Sequence, residues 1–84
     1  MLAEVTINNQ EVTVYKVPQG KKAMIEIIVN PIGFVNIWVK INDKVIIDEV
    51  VDKQIGQKLI LFAQDEVKVG TDGTVNVFIS GMEV

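Results

Sequence analysis

Two stretches of this sequence hold residue types that could do chemistry. The first is Gly20-Lys21-Lys22, inside "VYKVPQGKKAMIEIIVNP" (14–31), where a Gly-Lys pair precedes an apolar run. A phosphate-cradling loop needs G-x-x-x-x-G-K-[ST] between a strand and a helix, so that backbone N–H groups and the helix N-terminus converge on the phosphates. Here the first glycine and the Ser/Thr are missing, and the residues that follow alternate as a strand does. Pro18 pre-sets a turn and Gly20 accepts positive φ, so "PQGK" reads as a β-turn. The second stretch holds the acids Asp48, Glu49 and Asp52, followed later by Asp65 and Glu66. Paired carboxylates can hydrolyse glycosides or hold calcium. These do not follow D-x-[DN]-x-[DN]-G, and so short a chain offers little wall for a deep cleft. They read as solvated loop acids, and Asp72 before Gly73 as hairpin chemistry.

The chain contains neither Cys nor His. The usual ligands for zinc, copper, haem and iron–sulfur centres are therefore missing, as are thiol and Ser-His nucleophile systems. No enzyme, no metal and no cofactor is expected.

The elements that must position these residues are bounded by size. At 84 residues the chain is read as one domain spanning 1–84. So small a domain buries a limited core, and without disulfides the remaining reinforcement is association with other copies. The net charge of −3 and the scattering of the eight lysines give no basic face for phosphates, so no nucleic-acid partner is expected. Apolar residues reach 49% but are interrupted every few positions, well short of the roughly 18 in a row that cross a membrane as a helix. The opening "MLAEVTINNQ" carries Glu4 and no basic n-region, which argues against a secretory signal.

Val and Ile dominate the apolar set and alternate with polar residues between turn signals, a strand pattern. Strands are expected at 2–7, 11–17, 23–29, 34–41, 45–48, 58–62, 66–69 and 75–80, and 49–57 reads as a loop or a short strand ending in a turn at Gly56. About eight short strands and no helical segment predict a single all-β domain, an antiparallel β-sandwich of jelly-roll-like form. Alternation assigns Val12, Val14, Ile25, Ile27, Val29, Val35, Ile37, Val39, Val67, Val69, Val75, Val77 and Ile79 to the interior.

The opposite parity ought to be polar, because one face of each antiparallel sheet meets water. Instead it carries Tyr15, Met24, Ile28, Phe34, Trp38 and Phe78, with Ile60 and Phe62 as further candidates. Aromatics and Met are enriched at interfaces, and soluble monomers seldom show large apolar patches, so this set is expected to form a homo-oligomer interface. The rival reading is a glycan-binding face, with Tyr15, Phe34 and Trp38 stacking on sugars and Asn36 and Asp43 supplying hydrogen bonds.

Three segments, "VYKVPQGKKAMIEIIVNP", "VNIWVKIND" and "GTVNVFISGMEV", together resemble the short all-β structural proteins of tailed phages and prophages. In that group a Tyr-x-Val-Pro-x-Gly-Lys segment leads into an Ile/Val strand, and a Val-Asn-Val-x-Ile-Ser-Gly strand closes the chain. The resemblance implies a virion component, a head decoration protein or a tail or fibre part, often trimeric, made in the host cytoplasm and contacting other virion proteins. The chain departs from the group at "NPIGF", where a Ser/Thr/Ala-rich turn would be expected, and no fused attachment domain is expected. The resemblance carries no catalytic residue.

Overall fold

The runs rich in Val, Ile and Thr each become a strand, and the polar, Gly- and Pro-containing breaks become the connections. The computed structural model describes residues 1–84 and contains β1 (Ala3–Asn8), β2 (Glu11–Lys16), β3 (Ala23–Pro31), β4 (Val35–Ile41), β5 (Lys44–Val51), β6 (Ile55–Leu61), β7 (Glu66–Thr71) and β8 (Thr74–Glu83). β1 pairs with β8, β2 with β7, β3 with β6 and β4 with β5, all antiparallel. That is one long hairpin, its tip at Asn42 and Asp43. Both tip residues have positive φ (50° and 66°), the two-residue turn whose twist matches the flanking strands. Rolling the hairpin up adds β3·β8 and β4·β7, which closes two four-stranded sheets of order β1-β8-β3-β6 and β2-β7-β4-β5. The fold is the expected antiparallel sandwich, with jelly-roll topology.

The core lies between the sheets. Ile25, Ile27, Val29, Val35, Ile37, Val39, Val67, Val69, Val75, Val77 and Ile79 are all buried, as alternation predicts. Ile7, Val17, Ala23 and Leu61 join them. Thr71 is the buried polar member, and its hydroxyl accepts a hydrogen bond from the Gly73 N–H (3.1 Å). The turn at 18–21 is confirmed: Lys21 N–H bonds the Pro18 carbonyl (3.1 Å), and Gly20 sits at φ +79°.

Three expectations are corrected. In β2 the pairing slips between Thr13 and Tyr15, because Val14 is an extra residue, a β-bulge opposite the uninterrupted β7. The bulge reverses parity, so Tyr15 turns inward and is only 9% exposed, while Val12 and Val14 are half-buried at the margin of the core. The uncertain segment 49–57 contains no turn at Gly56: β5 continues to Val51, the turn is 52–54, and Gly56 lies inside β6. The turn expected over 70–74 shrinks to 72–73, since Gly70 and Thr71 pair with β4 as part of β7.

Because the strands run up and down, the connections sort to two ends. Loops 9–10, 32–34, 52–54 and 72–73 share one end. Loops 17–22, 42–43 and 62–65 share the other with both chain termini.

Candidate functional site

Register decides which outward side chains become neighbours, and on the first sheet (β1-β8-β3-β6) it assembles an apolar surface. Met24 sits opposite Met82 on β8 and Ile60 on β6, so these three form one row across the sheet. Below it runs Ser80–Glu26–Lys58, and below that Phe78–Ile28–Gly56, with Glu4 of β1 beside Phe78. Val84 and Phe62 continue the same parity beyond the Met row, toward the end that carries the termini. Met24 is 46% exposed and Ile60 68%, and Phe62, Met82 and Val84 are more than half exposed. Lys22 places its ammonium 6.0 Å from the centre of the Phe62 ring, at the outer reach of a cation–π contact. The opposite end of the face is polar and satisfied internally: Thr6 bonds Asn76, and Thr74 bonds Asn8, each at 2.7 Å.

Within the apolar half lies an open groove of about 590 Å³ bounded by Met24, Glu26, Lys58, Ile60, Ser80 and Gly81. Glu26 and Lys58 are register partners on its floor, yet the ion pairs of the molecule all lie elsewhere. Gly81 makes this surface possible. It holds φ +135°, and a Cβ there would fall 2.0 Å from the Met24 carbonyl oxygen. Only glycine lets β8 continue past that rung, so that Met82 and Val84 reach the face. The tail is then tied down on both sides. Lys22 and Val84 exchange backbone hydrogen bonds (2.9 and 2.8 Å), and the Tyr15 hydroxyl donates to Glu83 Oε2. Burial, reinforced by that bond to a carboxylate, pushes the Tyr15 phenol up to about 12.

The outer face of the second sheet (β2-β7-β4-β5) is of a different kind. Trp38 lies over Gly70, where a Cβ would come within 2.2 Å of its ring, and its Nε1–H donates to Glu11 Oε1 (2.9 Å). Lys40 reaches the same oxygen at 2.8 Å, and these two donors hold the Glu11 carboxyl below the usual carboxylate range. Lys68 pairs with Asp43 at 2.7 Å, which lowers the pKa of Asp43 and raises that of Lys68. The Asn36 amide donates to Asp48 (3.2 Å). At the edge of this sheet, β5 exposes Val45, Ile46 and Val50 with Lys44, Asp48 and Glu49 interspersed, charges that discourage edge-to-edge pairing.

The six residues expected to form an interface therefore divide. Met24, Ile28 and Phe78 share the outer face of the first sheet, with Ile28 and Phe78 half-buried and Met24 in the exposed row. Trp38 points outward but from the opposite sheet, and it is held there by Glu11 and Gly70. Phe34 precedes β4 instead of opening it, and stands 78% exposed in the 32–34 loop. Tyr15 is in the core. The aromatic trio of the glycan reading is thus distributed over three separate regions. The sequence pattern ends the last strand at Ser80, ahead of Gly81, so Met82 and Val84 do not enter the expected interface. Continuing the parity of Asn76, Phe78 and Ser80 through "GMEV" would have placed both on this face.

Compared with protein-family models, curated proteins and solved structures, the chain matches none.

Proposed function

We propose that this protein is a non-enzymatic structural subunit that works by self-association, burying the apolar half of its first sheet against a neighbouring copy. The observation that carries the reading is the contrast between the two outer faces. One pairs its charges internally and holds its only tryptophan in place. The other leaves Met24, Ile60, Phe62, Met82 and Val84 open to water in a contiguous cluster. Methionine at such a surface supplies adaptable, polarisable contact area.

The setting proposed is a phage-like particle, as a head decoration protein or a tail or fibre component, on the strength of the sequence resemblance. The jelly roll is shared by viral capsid and lectin domains, so it accommodates that setting without selecting it. Light scattering across a micromolar concentration series tests the self-association, with a defined oligomer expected. A monomer throughout would sink the reading. Mass spectrometry of particles purified from cells carrying the gene tests the setting, where absence of the chain would exclude it.

A further inference from the structure

The self-association reading leaves open what part of the neighbour fills the groove, and a second exposed apolar feature suggests the answer. It is the loop 32–34 at the far end of the sandwich, where the exposed side chains of Ile32 (61%) and Phe34 flank Gly33 in the chain. Of the large apolar side chains, Phe34 is the most exposed. The loop is built, not loose. Pro31 still pairs with Val75, while β6 begins opposite Val29, so the missing proline N–H interrupts no bond to β6. Ile32 N–H bonds the Thr74 carbonyl at 3.0 Å, and Gly33 holds φ +77°. A knuckle fixed in advance loses little conformational freedom when it docks.

We propose that this knuckle inserts into the groove of a second copy, so that subunits associate head to tail. Two observations favour this occupant, and a third is compatible with it. The groove volume of about 590 Å³ falls in the roughly 300–1,000 Å³ range that accepts small organic groups, an aromatic ring among them. Charge does not oppose it. Asp52 flanks the knuckle through the Val35·Val51 pairing and Asp72 through its backbone bond to Asn36, with Lys53 as the one nearby base. The groove is lined by Lys58 and Glu26 in balance, with Lys22 and Glu4 on the rows to either side. Finally, one contact of this kind covers the groove face and the knuckle together, whereas a contact confined to the Met24 rows of two copies would leave Phe34 in water. A contact between unlike surfaces builds a closed ring or an open filament, and its smallest closed form is a pair of copies that insert into each other reciprocally about a two-fold axis.

The test is a mixing experiment with Phe34→Asp and Ile60→Asp, both at exposed positions, read by light scattering with circular dichroism as the check on folding. Wild type is expected to self-associate, into a reciprocal dimer, a larger ring or a filament. Each variant alone should be monomeric, its association weakened roughly 100-fold as for loss of an interface anchor. An equimolar mixture should give a heterodimer and nothing larger, because one intact knuckle and one intact groove remain. Should either variant misfold, Ile32→Asp and Met24→Asp replace the pair. If Phe34→Asp assembles like wild type while Ile60→Asp does not, or if the mixture stays monomeric, the knuckle is not the occupant and self-association through the groove face still stands. A monomeric wild type at micromolar concentration overturns both.

Discussion

Replacing Gly81 by alanine should damage stability and the candidate interface together. The alanine would have to hold φ +135°, in a region that costs an L-residue roughly 1–3 kcal/mol. Its Cβ would also lie 2.0 Å from the Met24 carbonyl oxygen and 2.8 Å from the Ile25 Cα. Those are backbone atoms of the central strand β3, so no side chain can swing aside to relieve the overlap. The alternative is for β8 to peel away after Ser80. That forfeits the two Lys22–Val84 backbone bonds and the Tyr15–Glu83 bond, each with a net contribution of roughly 0.5–1.5 kcal/mol. Either route costs about 2–4 kcal/mol, which for a domain of this size lowers Tm by about 10–30 °C. Urea unfolding followed by far-UV circular dichroism measures it, with Gly56→Ala as the control. Gly56 lies on the same sheet, has no positive φ, and its added Cβ meets nothing closer than 3.6 Å. That change should be neutral or slightly stabilising. If Gly81→Ala melts within about 1 kcal/mol of Gly56→Ala, the account of the C-terminal rungs is wrong.

Two further outcomes are expected. Tyr15 is the only tyrosine, so its absorbance titration is unambiguous. The unfolded phenol loses its proton near pH 10.0 and the folded one near 12, so the folded state keeps the proton longer. Stability is intact below pH 10 and falls between pH 10 and 12, by at most roughly 2–3 kcal/mol. Tyr15→Phe should remove the tyrosine's share of that alkaline decline, leaving the part that comes from Lys68 and its bond to Asp43, and an unchanged slope would contradict it. Gly70→Ala should displace the Trp38 ring and break its bond to Glu11. The result expected is a red-shifted emission from the only tryptophan and a loss of about 1–3 kcal/mol. Wild-type emission and stability would show that the ring does not depend on Gly70.

Much of the sandwich was legible because period-2 alternation is a local property. In β3, β4, β7 and β8 every residue that it assigns to the interior, from Ile25 to Ile79, is buried. It failed where geometry was set by a partner strand. The bulge at Val14 exists only relative to β7, and nothing in "EVTVYKV" announces that Tyr15 rather than Val14 faces inward. Gly56 and Gly81 look like punctuation in the sequence, yet both lie within strands, Gly81 because β3 approaches too closely for any side chain. The grouping of Met24 with Ile60 and Met82, and its separation from Trp38, depended on strand order, which local pattern does not encode. Phe34 reads as a strand residue because "FVNIWVKI" alternates cleanly one position beyond the start of β4.

The rolled hairpin also sets an order of assembly within the chain. Closing a loop costs more the longer it is, and β4·β5 meet across two residues while β1·β8 join the chain's extremes. Loop closure therefore favours zipping outward from Asn42 and Asp43, with β8 docking late. Met82 and Val84 arrive with that last strand, and the Ser80–Gly81 side of the groove arrives with them. A chain still folding carries only the β3 and β6 half of this apolar face, so the subunit contact proposed above would become complete only once each subunit is.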